Sequence, residues 1–480
     1  MKFFKENGPH IKSEDTTSKI MTRLLIALAP IICFVIFKNS MLVYYYTDAT
    51  ALEAFHPVLM IITAILTSCI SEFLYFKIIL KRSFRESLFE KDRSFAIIPG
   101  ILLALVLPPN VPLWLVAFGA FCASILGKMI YGGFGQNIFN PALIGYLLIS
   151  ASYPSLMGSH LNLYELDTLG GATPLSNLAS LNYYGTYESI VAPYGTLLNF
   201  FSGTISGAIG ETSKLLIIIA FIYLAITKTI KWIIPVMYIG ITFIMTYFIS
   251  NIVGLDIWYP LFHILSGGLL FGAVFMATDP VTSPKTTIGQ IFYGTSLGIL
   301  TVLLRFKTSY PEGVMTSILF MNMLVPLFDK IGLYFKYNIK RIWTIILVFI
   351  GIITLLVFNI SSSINETKNG SVKNEADEKV KIIETKTEGN KTTYSVTSKA
   401  WGVIKANVEV IDGEIKSIIV TDSSGETQWN EIEKNNYVYE VIANQKDIDN
   451  LDAVSGSTIS SNGIKNIVRK VLSEVNKNEG

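Results

Sequence analysis

The chain has 480 residues, 51% of them hydrophobic and 15% charged, with a formal net charge of +2. That balance excludes an ordinary soluble globular protein, and a charge so close to neutrality gives no footing for nucleic-acid binding. A polytopic α-helical membrane protein is the class that remains. A short N-terminal segment, 1–19, precedes apolar segments near 20–37, 56–80, 94–108, 112–131 and 138–153. A second series lies near 213–228, 232–252, 259–278, 287–305, 313–331 and 341–360, which makes eleven segments near the ~20 residues a helical crossing needs, with 138–153 the weakest because it is short. The first is too long, and lacks a small-residue cleavage site, to be a removable signal peptide, so it is expected to stay as an anchor.

Cations set the expected orientation, because Lys and Arg in short loops stay on the cytoplasmic side. Lys2, Lys5, Lys12 and Lys19 precede the first segment, with Arg23 near its start; Lys81, Arg82, Arg85, Lys91 and Arg93 follow the second; Lys228 and Lys231 join the sixth and seventh; Lys336 and Lys340 precede the last, which begins at Arg341. The long loop 152–197 has no Lys or Arg. Eleven crossings from a cytoplasmic N-terminus put this loop and everything after 361 on the extracytoplasmic side.

Cys33, Cys69 and Cys122 lie in apolar segments and form no C-x-x-C pair, which argues against a cluster or zinc site held by this chain alone. The four histidines are scattered. His56 and His263 lie at or within apolar segments, where a bond to a neighbouring helix is the commoner role than haem ligation. Glu72 and Asp329 are ionisable groups near segment ends, where snorkelling or a loop partner explains them as well as a role in ion coupling does.

The run from Pro99 to Pro109 and the run from Ser266 to Pro280 look like weak repeats. Segments one to five and six to ten then form two five-span halves, and an odd number makes them inverted copies, an arrangement that places binding sites at interrupted helices between the halves. Interruptions are present in Gly132-Gly133-Phe134-Gly135-Gln136-Asn137-Ile138-Phe139-Asn140-Pro141 and in Asp279-Pro280-Val281-Thr282-Ser283-Pro284. Spacing alone reads these equally as tight turns.

After the last segment the composition turns polar. Residues 361–380 read as a flexible linker. Residues 408–420 read as a hairpin around Asp412-Gly413. Ile464, Ile467, Val468, Val471, Leu472 and Val475 follow at helical spacing, with Ser460, Ser461 and Asn462 as candidate N-caps. Between hairpin and helix stands Asp452-Ala453-Val454-Ser455-Gly456-Ser457-Thr458, and the long upstream loop holds a near-copy, Asp167-Thr168-Leu169-Gly170-Gly171-Ala172-Thr173.

Both heptapeptides resemble the flavinylation signal Asp-x-x-Ser/Thr-Gly-Ala/Ser-Thr, on which a transferase esterifies the phosphate of FMN to the last threonine. The resemblance implies covalent FMN on Thr458, with Asp452, Ser455, Gly456 and Ser457 as its motif. It implies the same on Thr173 with Asp167, Gly171 and Ala172, although Gly170 stands where the pattern has Ser or Thr. The strings GFGQNIFNPALIG, GGATPL and FMATDPVTSP resemble the D subunit of the Rnf electron-transport complex and its relative, the B subunit of the sodium-pumping NADH:quinone reductase, over roughly residues 20–335. The tail resembles the small FMN-binding domain of the Rnf G subunit, anchored by the last apolar segment.

These resemblances imply a division into a membrane domain (20–335), an anchor span (336–360), a linker (361–380) and a small extracytoplasmic α+β FMN-binding domain (381–480). They imply electron relay through covalent FMN, a further noncovalent riboflavin, and Na⁺ or H⁺ translocation. The implied partners are an iron-sulfur membrane pair, cytoplasmic subunits handling ferredoxin or NADH, a flavin transferase for maturation, and membrane lipid. The chain lacks the G-x-G-x-x-G fingerprint opening a helix, so NAD is not expected on it. Two other readings stand beside this one: a flavin conduit to extracellular acceptors without Rnf partners, and a small-solute transporter or channel, which leaves the tail without a task.

Overall fold

The computed structural model describes residues 16–46, 50–157, 173–308, 313–337 and 342–369, and in the tail 380–389, 391–399, 403–411, 413–423, 429–445, 448, 451, 454 and 457–478. The chain divides into two compact units, Met1–Ile364 and Asn365–Gly480.

In the first unit every expected apolar segment is helical, but not every one is long enough to cross a bilayer. Six helices are: Thr17–Tyr46, His56–Ile79, Leu113–Tyr131, Ile233–Val253, Thr287–Lys307 and Ile346–Asn365. Two more crossings are possible as bent pairs, Trp258–Leu265 with Leu269–Met276 (61°) and Val314–Met323 with Val325–Phe335 (63°). Ile97–Val106, Pro141–Ser152 and Lys214–Ile226 are shorter apolar helices. At 1.5 Å per residue the ten-residue helix Ile97–Val106 covers about 15 Å, half of a hydrocarbon core. Of the eleven expected crossings, six, or eight if each bent pair is one span, are thus long and apolar enough among the described residues, and three are shorter helices.

The centre of this unit is built from two such short pieces. Ile97–Val106 is buried from Ile98 to Val106, and Leu269–Met276 is wholly buried, widening into π geometry over Gly272–Met276. Each is preceded by a break with a left-handed residue, Phe95 (φ +52°) and Gly267 (φ +62°). The two run antiparallel. The end of the first meets the segment before Lys214, with Gly210 N donating to Leu105 O (2.7 Å) and Ile209 N to Leu107 O (3.0 Å). Glu211 of that segment lies against Gly268 at the start of the second. At the opposite end, Phe95 and Ile98 share a pocket with Phe275, Thr278 and Asp279.

The loop that sequence leaves unstructured is partly helical, with Pro174–Ser180, Tyr187–Ile190 and Leu197–Ser202. Leu175, Leu178 and Phe200 pack with Tyr259, Phe262 and Phe306 in a second apolar cluster. The last helix runs Ile342–Asn369, so 361–369 of the expected linker continue a helix. Ile360 and Ile364 are buried on that cluster, which explains why the helix persists into polar sequence.

The second unit is a four-stranded antiparallel meander, β1 (Val380–Glu388), β2 (Lys391–Lys399), β3 (Val403–Ile411) and β4 (Glu414–Asp422), in the order β1-β2-β3-β4. The expected hairpin is β3–β4; β1 and β2 are additional to it. Alternation along β3 turns Ile404, Ala406, Val408 and Val410 inward, and the C-terminal helix Thr458–Asn478 covers that face with Ile464, Ile467, Val468 and Val471. Ser398 Oγ donates to Gly463 O (3.1 Å) and pins helix to sheet. Removing the buried Ile467 side chain should cost about 2–5 kcal/mol, comparable with the whole stability of a small domain. Ile467→Ala is therefore expected to make the tail protease-sensitive while the membrane unit stays intact, and limited proteolysis followed by mass spectrometry reads both in one sample.

Candidate functional site

The C-terminal threonine motif runs directly into the covering helix. Thr458 is the first residue of Thr458–Asn478, so Ser460 and Ser461, expected as caps, lie inside the first turns, and Asn462 with them. Ser457, fully buried, holds the position before the helix. Its N–H donates to Val454 O (2.9 Å), and its carbonyl accepts from the Ser461 N–H (2.9 Å) and the Ser461 hydroxyl (2.9 Å). The same hydroxyl accepts from Val454 N (3.1 Å). Lys465, buried, donates to Leu451 O. The motif segment is thus laced to its own helix by Ser461 and Lys465, two residues the motif pattern does not contain. Asp452, Ser455 and Gly456 lie outside the described residues.

Thr173 caps the helix Pro174–Ser180. Its hydroxyl accepts from Ser176 N (3.2 Å) and donates to Ser176 Oγ (3.0 Å), and the residue is 7% exposed. Asp167, Gly171 and Ala172 lie outside the described residues, so only the terminal threonine of this motif is placed.

A third place emerges where the two interrupted strings meet. The pocket between the start of Ile97–Val106 and the end of Leu269–Met276 has Phe134 and Phe275 as aromatic walls, and Asn137, Asn140, Thr278 and Lys128 among its polar groups. Asn140 Nδ2 donates to Met276 O (3.4 Å), joining the two strings. Asp279 accepts from the Thr282 N–H (3.2 Å) and hydroxyl (2.9 Å); burial pushes its carboxyl up from the ordinary range, and the Thr282 and Val281 donors hold it back.

Lys128 is 2% exposed and donates to Glu72 Oε1 (2.6 Å) and Ser94 O (2.6 Å), while the Ser94 hydroxyl donates to Glu72 Oε2. Its ammonium also lies 5.7 Å from the Phe134 ring centre. Snorkelling does not describe Glu72, which is fully buried on a partner 56 residues away in sequence. A loop partner does describe Asp329, whose Oδ1 accepts from Lys285 N (2.8 Å), Thr286 N (3.0 Å) and Thr286 Oγ1 (3.1 Å). His56 Nδ1 lies 3.0 Å from Pro109 O, whereas His263 is buried against the Tyr259 and Phe306 rings with neither ring nitrogen hydrogen-bonded.

The profile of the NQR2, RnfD, RnfE family matches residues 5–338. The chain belongs to that family. The FMN-binding domain profile matches residues 400–473, over β3, β4 and most of the C-terminal helix. The D subunit of the proton-translocating ferredoxin:NAD(+) oxidoreductase complex of Clostridium ljungdahlii is 36% identical over 337 residues, 70% of this chain and 96% of that protein. The D subunit of the Na(+)-translocating ferredoxin:NAD(+) oxidoreductase complex of Acetobacterium woodii is 32% identical over 338 residues, 70% of this chain and 95% of that protein. The B subunit of the Na(+)-translocating NADH-quinone reductase of Ectopseudomonas mendocina is 37% identical over 272 residues, 54% of this chain and 65% of that protein. The chain is thus a membrane protein homologous to the Rnf D subunit, continued into an FMN-binding domain.

The lacing of the C-terminal motif can be tested locally. Ser461→Ala removes the acceptor for Val454 N and one donor to Ser457 O, at about 1 kcal/mol per net hydrogen bond. The Val454 amide should then exchange its hydrogen roughly five times faster or more, while amides in β2 and β3 keep their protection; amide exchange by NMR on the tail gives the comparison.

Proposed function

We propose that this chain is an electron-relay subunit of an Rnf-type complex, carrying FMN esterified to Thr458 and to Thr173 and a noncovalent riboflavin in the pocket at Lys128. The observation that carries this reading is that an FMN-binding fold stands on the same chain as a D-subunit homologue, with a flavinylation-type heptapeptide in each part. A phosphoester keeps FMN from diffusing away, and the flavin supplies the one- and two-electron chemistry while the protein supplies position and electrostatics.

The residues present fit such groups. Thr458 opens a 21-residue helix, and the free N–H groups and positive dipole end of a helix N-terminus favour an esterified phosphate. Ser461 and Lys465 fix the approach of the chain to that threonine. At Thr173 the hydroxyl is engaged as a cap, so esterification there replaces the proton it gives to Ser176 Oγ. In the pocket, the Phe134 and Phe275 rings line the wall for a flat ring system, and the Asn137 and Asn140 amides and the Thr278 hydroxyl suit the donor and acceptor edge of a flavin. Lys128, steadied by Glu72 and Ser94, places a positive charge beside it.

In this reading the N-terminus is cytoplasmic and both threonines face the extracytoplasmic side. The chain works with an iron-sulfur membrane pair and with cytoplasmic subunits that handle ferredoxin or NADH, after loading by a flavin transferase. Electron flow through it serves the movement of Na⁺ or H⁺, which the names of the two D-subunit relatives attach to their complexes.

Counting flavins tests the proposal. Protein made with a flavin transferase should keep two FMN per chain through denaturation and acid precipitation; Thr458→Ala should remove one and Thr173→Ala the other. A tail peptide from the Thr458→Ala protein that still carries covalent flavin would overturn the assignment, as would unmodified threonine in both wild-type peptides by mass spectrometry.

A further inference from the structure

The break before Leu269 gathers oxygen atoms around a tethered charge. An interrupted helix leaves carbonyls of its last turn without intrahelical partners, and inside a membrane protein these need a donor or a cation. Here the carbonyls of His263 and Ser266 accept from Arg305 (2.6 and 3.4 Å). The Gly267 carbonyl accepts from Lys214 Nζ (2.7 Å), which also donates to the Glu211 carbonyl. Lys214 and Arg305 are 1% and 0% exposed. The Glu211 carboxylate, 3% exposed, lies so close to Gly268 that its oxygens leave no room for a Cβ there. The hydroxyls of Ser266 and Thr212, from the two segments that meet at this break, are fully buried and have no hydrogen-bond partner.

Carbonyls, a carboxylate and unsatisfied hydroxyls are the ligand set of a small hard cation, and half-helix C-terminal ends with unwound backbone carbonyls are where membrane proteins hold Na⁺. We propose that the Gly267 break is a monovalent-cation site in which the Lys214 ammonium stands in for the ion. Lys38 and Arg305 are held by other carbonyls, of Ile205 (2.5 Å) and of His263 and Ser266; Lys214 bridges the Gly267 and Glu211 carbonyls. An ammonium and a Na⁺ carry the same charge, so with the side chain withdrawn an ion in its place leaves the charge at the Gly267 and Glu211 carbonyls unchanged. While Lys214 is in place a free cation is excluded; when its side chain withdraws, the same oxygens accept the ion. Use of the site in transport rests on the ion-translocating reading above, whereas cation binding does not.

The test is binding at equilibrium on the full-length protein in detergent, with no electron donor present. In Lys214→Ala the oxygens lose their resident cation, and roughly 100 mM NaCl is expected to raise the unfolding temperature by about 5 °C over equal choline chloride through binding to the folded state. Wild type and Lys214→Arg should show no difference between the two salts, and a KCl arm reports the size preference. If Lys214→Ala does not fold in choline, folding restored by Na⁺ supports the site. Lys214→Gln, which keeps a donor for Gly267 without the charge, is measured in the same way. A folded Lys214→Ala protein indifferent to Na⁺ overturns the proposal, as does failure of both variants to fold in either salt. Covalent flavin counted in the same samples separates this outcome from failure of the flavin assignment.

Discussion

The membrane unit depends on one constraint: a backbone that leaves helical geometry away from water must find every partner within the protein. Two central helices of this chain are short and antiparallel, each entered through a left-handed residue, so each entry is an interior break to satisfy. At one, Lys128 binds Ser94 O; at the other, Arg305 binds Ser266 O and Lys214 binds Gly267 O. The segment before Lys214 gives its own N–H groups to the end of the first short helix. Burying a cation costs several kcal/mol unless its donors are used, and every one of these cations lies on a carbonyl at or beside a break. The charges that look out of place in an apolar unit are thus what allows its centre to be non-helical.

The breaks also differ in a way that matters for chemistry. Lys128 has a carboxylate partner, Glu72, and lines a pocket with aromatic walls and amide edges. At the opposite break Lys214 bridges the Gly267 and Glu211 carbonyls, and the buried Ser266 and Thr212 hydroxyls are unsatisfied. A flat organic ring suits the first and a bare small cation suits the second. Redox and ion chemistry could then occupy opposite ends of one pair of short helices, with coupling carried through rigid elements rather than by direct contact.

Sequence reveals hydrophobic length well and interruption poorly. Each apolar segment is found because hydropathy sums over a window; at Ile97–Val106, Pro108-Pro109 marks where the helix ends but nothing in the sequence marks that only ten residues of it are helical. Glu72 is visible as a carboxylate near a segment end, yet its partner Lys128 is brought in by the fold, which no local pattern encodes. In the tail, β3–β4 is legible from an Asp-Gly turn between β-branched runs, while β1 and β2 are rich in Lys, Thr and Glu and present few apolar residues to count. Ser461 has the look of a cap, and only the helix start at Thr458 shows that its hydroxyl reaches back to Val454 instead.

The two motif threonines share a chemical pattern but meet different local energetics. Thr173 has its hydroxyl in a capping bond and is nearly buried, a geometry that on its face bars a transferase. The magnitude decides otherwise. A Thr cap contributes about 1 kcal/mol, a factor of roughly five in population, so a capped hydroxyl is still free for a substantial share of the time and an enzyme that captures the open form draws the rest through. Under the proposed flavinylation, the residues ahead of the threonine therefore weigh more than the cap. There Ala172 against Ser457 stays within the pattern's Ala/Ser, whereas Gly170 against Ser455 departs from it. Glycine has no side chain to offer a recognising enzyme at that position, so the proposed loading of Thr173 rests on Asp167, Gly171 and Ala172, whereas that of Thr458 has Ser455 besides.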